Sequence, residues 1–169
     1  MILKLPNIRA SLIEEANPGE FLTFHYNPET VSDNQSAEYS YEDNSEWVFS
    51  RATLKTTNPR QVSFLLRLSD WGDDIVKGNK ARKSVEASIQ WLRDRIWKNP
   101  KVREGGAEPP KLFFPRLKNI YGVTGFVCIL KSMNVVRTVM NPFSPADALR
   151  AEVEITLEEY IEIPAPEEE

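Results

Sequence analysis

The chain has 169 residues, of which 41% are hydrophobic and 27% charged, the make-up of one globular domain rather than two. A chain this long buries roughly 70% of its unfolded surface, so it needs neither disulfides nor metal, and the composition excludes mini-protein and disordered classes. With 21 basic and 25 acidic side chains the formal charge is −4, so no global field recruits nucleic acid or an anionic membrane.

In chain order, Met1-Ile-Leu-Lys-Leu-Pro6 lacks a basic stretch leading into an apolar run, and no signal peptide is expected. Period-2 alternation then dominates. Phe21-Leu-Thr-Phe-His-Tyr26 reads as a strand closed by Asn27-Pro28, because proline lacks a donor and biases the preceding residue away from helix. Trp47 to Leu54 reads as a strand with Trp47 and Phe49 on one face, ending before Asn58-Pro59. Val62 to Leu68 alternates with Val62, Phe64, Leu66 and Leu68 inward. Asp70-Trp-Gly-Asp-Asp74 reads as a polar turn capping a following helix, since it lacks the alternating ligands and closing Glu of a calcium loop.

Val85, Ile89, Leu92 and Ile96 recur at helical spacing, with Ser84 as N-cap and Asn99-Pro100 as stop. This face is expected on the sheet, with Arg93 and Arg95 toward solvent or another subunit. Trp91 reads as a core or interface aromatic, and residues 101–110 as an exposed loop. Val123–Leu130 and Ser132–Met140 form either a hairpin or one long bent strand. Phe126 to Leu130, the longest mostly apolar stretch, falls far short of the ~20 residues a membrane helix needs. Cys128 within it is the only cysteine and reads as buried and structural, in a chain made in the cytoplasm.

The last strand places Ala151, Val153, Ile155 and Leu157 inward and sends Glu152, Glu154, Thr156 and Glu158 to the opposite face. That face is either an ordinary wet surface or the negative lining of a channel. The expected fold is mainly β (α+β), a sandwich or half-barrel with one amphipathic α-helix. It forms a single domain over 1–163 with an acidic tail at 164–169.

Charge is unevenly spread: residues 1–76 hold 6 basic and 12 acidic side chains, residues 77–118 hold 12 and 4, and residues 147–169 hold 1 and 9. The middle segment reads either as solvated surface or as charge complementary to neighbouring subunits, with Arg93, Arg95 and Lys98 as interface candidates. Its tryptophans, Trp91 and Trp97, lie among Arg93, Arg95, Lys98, Lys101 and Arg103. They raise the alternative of a nucleic-acid-binding accessory protein. His25 is the only histidine, which removes any triad or metal site needing two. No nucleotide loop, nucleophile elbow or zincin helix is present, so no catalytic residue, metal ligand or cofactor is expected.

Phe24-His-Tyr-Asn-Pro-Glu-Thr-Val-Ser32 followed by Ser36-Ala-Glu-Tyr39 resembles the opening of the contractile injection system tube protein family, with Asn27, Pro28 and Glu29 at its turn. Pro109-Pro-Lys-Leu-Phe-Phe114, Gly122-Val-Thr-Gly-Phe126 and the run from Asn141 through Arg150-Ala151 to Glu159 resemble its closing order. The sequence departs from the family at Lys111–Asn119 and Asp147–Leu149, and it stops ten residues beyond Glu159, where many relatives continue into a peptidoglycan-binding module. The resemblance implies a tail-tube-like β fold and a structural, non-enzymatic role at the baseplate hub or first tube ring of a contractile phage tail or injection system. It further implies a ring oligomer, hexameric in the simplest case, contacting neighbouring baseplate or tube proteins, with DNA passage through a lumen and no membrane partner. The chain would be made in the host cytoplasm and assembled into a virion tail or injection particle.

Overall fold

Segments in which every second side chain is apolar form the centre of the sheet. The computed structural model describes residues 9–42, 50–70, 83–96 and 109–161. The strands are β1 (Ser11–Glu14), β2 (Phe21–Thr23), β3 (Val31–Asn34), β4 (Ala37–Glu42), β5 (Arg51–Thr57), β6 (Gln61–Ser69), β7 (Lys111–Lys118), β8 (Thr124–Asn141) and β9 (Ser144–Glu159). The helix α1 spans Val85–Ile96, between β6 and β7. Seven strands make one antiparallel sheet in the order β2-β1-β7-β8-β9-β6-β3, while among the described residues β4 and β5 pair only with each other. The sheet curls into a half-barrel, as expected from the alternation.

The curl is set by an aromatic cluster. Phe24, just past β2, Phe64 on β6 and Phe114 on β7 bring their ring centroids within 5.6–5.8 Å of one another. Val62, Phe64, Leu66 and Leu68 are all buried, as are Ala151, Val153, Ile155 and Leu157 opposite them. The two alternating patterns therefore share one inner face.

Val123–Leu130 and Ser132–Met140 resolve into one strand, the 18-residue β8, whose register with β9 shifts at Leu130/Ser132 and again from Arg137 to Asn141. Those irregularities bend the strand without ending it. β9 starts at Ser144, earlier than the alternation from Ala151 suggests, because Asn141 and Ser144 pair across a tight turn. The strand at Phe21 is shorter than expected and ends at Thr23, although Phe24 N–H still donates to the Ala10 carbonyl at 2.9 Å and Phe24 and His25 are both buried. Trp47 and Phe49 lie outside the described residues, and the paired part of that segment is Arg51–Thr57.

The helix begins as read: Ala87 N–H donates to Ser84 Oγ at 3.2 Å, and Val85 N–H donates to Asp70 Oδ1 at 3.1 Å. Asp70 thus satisfies one of the helix's orphan donors, while residues 71–74 lie outside the described residues. Val85, Ser88, Ile89, Trp91 and Leu92 are buried, but Ile96 is 41% exposed. Ile96 shares the angular face of Val85, yet it is the last helical residue and overhangs the core. Arg95 is a second correction: its side chain turns inward, 10% exposed, with its guanidinium 3.7 Å from the Trp91 ring and 2.6 Å from a Glu14 oxygen. Carboxylates on and beside the β1–β2 turn, Glu14 and Glu20, draw it back over the sheet.

Candidate assembly surfaces

Because β9 buries its odd positions, Glu152, Glu154, Thr156 and Glu158 stand on the outer face of the sheet. Their cross-strand neighbours are Arg67, Leu65, Ser63 and Gln61 on β6, and Val136, Asn134, Ser132 and Ile129 on β8. The face mixes hydroxyl, amide and carboxylate groups with the exposed side chains of Leu65 and Val136, and the Ser63 and Thr156 hydroxyls lie 3.0 Å apart. Its negative charge is smaller than the three glutamates suggest. Lys131 Nζ lies 2.6 Å from Glu158, which also accepts from Gln61 Nε2 at 3.0 Å, and Arg67 Nε lies 3.5 Å from Glu152. Glu154 alone of the three meets no cation among the described residues.

The edges of this face are unequal. β7 pairs with β8 only from Thr124 to Ile129, and β6 pairs with β9 only from Arg150 to Glu158. Beyond Ile129, β8 has no strand on its β7 side among the described residues. That edge reads Leu-Lys-Ser-Met-Asn-Val-Val-Arg-Thr-Val-Met-Asn; it carries Lys131 and Arg137, and its register with β9 is regular from Ser132 to Arg137, between the two sets of shifts. A regular open stretch pairs with other strands unless charge, proline or a bulge blocks it. At the opposite end of the sheet order, β3 pairs among the described residues with β6 alone and is exposed throughout.

The two stretches that carry the family resemblance meet at Arg67. Glu29 lies 2.7 Å from Arg67 Nη1, and Asn27 Oδ1 accepts from Ala10 N–H at 2.7 Å, which fixes the turn through Pro28. A cavity of about 570 Å³ is lined by Asn27, Pro28, Glu29, Tyr26, Leu65 and Arg67. A neighbouring one of about 530 Å³ lies on the other side of Tyr26 and Arg67, against Arg150, Ala151 and Glu152. Sequence spacing gave no sign of this convergence, because Asn27–Glu29 and Arg150–Ala151 are more than 120 positions apart.

On α1, Arg93 is exposed and compatible with a surface role, whereas Arg95 is held within the chain. Lys98, Trp97, Lys101 and Arg103 lie outside the described residues. Trp91 is buried, so neither it nor Arg95 offers a face to nucleic acid.

His25 is buried; its Nδ1 accepts from Ser69 N–H at 3.0 Å, and Nε2 donates to the Lys83 carbonyl at 2.8 Å. It ties the end of β6 to the approach of α1. Cys128 is buried and donates to the Leu112 carbonyl at 3.6 Å; desolvation, with Glu159 nearby, pushes its thiol up to about 12. Neither group is poised for nucleophilic chemistry. Among the described residues no three His, Cys, Asp or Glu side chains gather as metal ligands, and no helix is long and apolar enough to cross a membrane.

The described residues form an antiparallel half-barrel with one helix packed against β8 and β9 and a largely polar face on β9 turned outward. The chain matches the contractile injection system tube protein family over residues 3–166, nearly its whole length, and it belongs to that family. Among curated proteins none matches it. Membership implies oligomeric assembly with other tube or injection-system proteins as a structural part of an injection particle, and points to a non-enzymatic role.

Proposed function

We propose that the chain forms a closed, hexameric ring at the baseplate hub or first tube layer of a contractile phage tail or injection system, joining tube to baseplate. The open half of β8 carries this reading. Pairing it with the free edge of β3 in a neighbour makes a continuous sheet with β3-β6-β9-β8 repeated in every copy. The outer face with Glu152, Glu154 and Glu158 then lines the lumen.

Geometry supports the pairing. Through the registers of β6 and β9, Val31 stands level with Met133 on β8 and Asn34 with Ile129, so β3 is centred near Lys131. The open stretch of β8 is centred between Val135 and Val136, between four and five residues or ~15 Å along the strand at ~3.3 Å per residue. In a barrel with strands ~4.8 Å apart and tilted ~40°, four strands per copy require a stagger of about 16 Å for the ring to close without rising. The two estimates agree.

Amide hydrogen exchange tests the pairing. Amides within 133–140 whose N–H groups point to the open edge exchange freely in the isolated chain and become protected on assembly. Assembled particles in which that stretch exchanges as in the free chain contradict the reading.

A further inference from the structure

We infer that Glu86 is a positioning residue for assembly: from the first turn of α1 it clasps both strands of the β8–β9 ribbon and holds the open half of β8 ready to receive a neighbour's strand. The inference rests on the ring reading and adds to it the group that prepares the edge.

The ribbon needs a support of this kind. Past Arg137 on β8 and before Arg150 on β9, the described pairing is between these two strands alone, and the register slips three times from Arg137 to Asn141. A two-stranded ribbon is marginal in water, and each slip interrupts the regular ladder. The regular open stretch, Ser132 to Arg137, leads directly into this irregular part.

Glu86 meets both strands across the slips. Arg137 Nε donates to its Oε1 at 2.9 Å and Arg137 Nη2 to its Oε2 at 3.1 Å, while Ala148 N–H donates to Oε1 at 3.0 Å. Arg137 stands where the slips begin, and Ala148 stands within them, opposite Met140. A two-pronged guanidinium–carboxylate pair fixes direction as well as distance, and the Ala148 bond adds the second strand to the same carboxylate. Glu86 is anchored in turn. Val85 beside it is fully buried, Val85 N–H donates to Asp70, and Asp70 N–H donates to the Leu149 carbonyl at 2.8 Å. The start of α1, the end of β6 and the ribbon thus form one braced corner.

The clasp leaves the edge accessible. Arg137 pairs with buried Ala151, so its side chain projects to the inner face toward α1, away from the in-plane groups that would bond to another strand. The charge that could block pairing at this edge is therefore taken up by Glu86. A strand that orders only on meeting its partner loses conformational freedom during association, which weakens the joint. With Glu86 in place, that loss has already occurred in the isolated chain.

The test compares the full-length parent with Glu86→Ala and Glu86→Gln by hydrogen exchange of the isolated chains and by the concentration at which rings form. In Glu86→Ala, residues 135–149 exchange about tenfold faster while β6 keeps its parent protection, and rings need about tenfold more protein. Glu86→Gln keeps an oxygen for the Ala148 N–H and loses the charge facing Arg137, so it falls between the two on both measures. A residue that only stabilises the fold would loosen β6 and the ribbon together. If Glu86→Ala does loosen β6, Glu86→Gln decides: it must loosen 135–149 relative to β6, and uniform or parent-like exchange overturns the clasp. Parent-like exchange of 135–149 in Glu86→Ala overturns it outright. A loosened ribbon that still forms rings at the parent concentration, with 133–140 protected, overturns the assembly role and leaves the ring reading standing. A parent that forms no rings, or rings in which 133–140 gain no protection, overturns the ring reading and the assembly role with it.

Discussion

Phe64 and Phe114 stack with ring centroids 5.6 Å apart although two strands, β9 and β8, separate β6 from β7 in the sheet. A flat sheet would hold residues across that span more than 10 Å apart, since each strand adds about 4.8 Å. Their contact is therefore the physical mark of the curl, and the curl sets which strand edges stay open.

Truncating that contact is expected to be costly. Phe114→Ala and Phe64→Ala each lower stability by about 3–5 kcal/mol, through lost burial and a residual cavity. Urea unfolding followed by far-UV circular dichroism measures it; a midpoint within error of the parent contradicts the core assignment.

The helix face separates two leucine-sized side chains by position. Leu92 is fully buried while Ile96 overhangs, so Leu92→Ala costs about 2–5 kcal/mol and Ile96→Ala about 1 kcal/mol or less. Equal shifts in the two unfolding midpoints are the contrary outcome.

Acid stability depends in part on Glu86. Its hydrogen bond with Arg137 outweighs desolvation and, with help from Ala148 N–H, holds the carboxyl below its ordinary 4.5. A carboxyl depressed in the folded state contributes stability that is fully present above its unfolded value and is lost as pH falls through the folded one. Unfolding midpoints measured from pH 6 downward should therefore decline below about 4.5 in the parent and more gently in Glu86→Gln. Identical slopes would remove Glu86 from the account.

The outer-face carboxylates are not equivalent. Glu154→Lys changes folding by no more than ~0.5 kcal/mol, whereas Glu158→Lys sets a second ammonium beside Lys131 and costs about 1 kcal/mol. Thermal unfolding of the isolated chain separates the two. If this face lines a lumen, the triple Lys variant of Glu152, Glu154 and Glu158 assembles yet delivers DNA more slowly; normal delivery by assembled particles counts against the lumen.

Strands with one buried face were legible in the sequence: β6 and the second half of β9 alternate without a break, and every inward position is buried. β1 and β3 were not, because each is four residues long, β1 with a single buried position and β3 exposed throughout, and neither carries a period. The continuity of β8 stayed ambiguous, since Lys131-Ser132 looks like a turn and is a register shift. Arg95 was misread because its partners, Glu14 and Glu20, lie more than seventy residues away, and helical spacing says nothing about them. Arg67 neutralises Glu152 from a similar distance, and Lys131 reaches Glu158 across the β8–β9 pairing, which period-2 alternation does not reveal. The Asn27–Glu29 and Arg150–Ala151 stretches were legible as resemblance, but their meeting around Arg67 required the fold.

The central claim is that the open half of β8 closes a ring. Electron microscopy of the assembled protein at a resolution that separates strands tests it most directly. The predicted density is one continuous sheet with β3-β6-β9-β8 repeating around the axis and residues 133–140 paired to a neighbour's β3. A ring, or a particle layer, in which that stretch of β8 faces solvent or is covered by its own chain would contradict it.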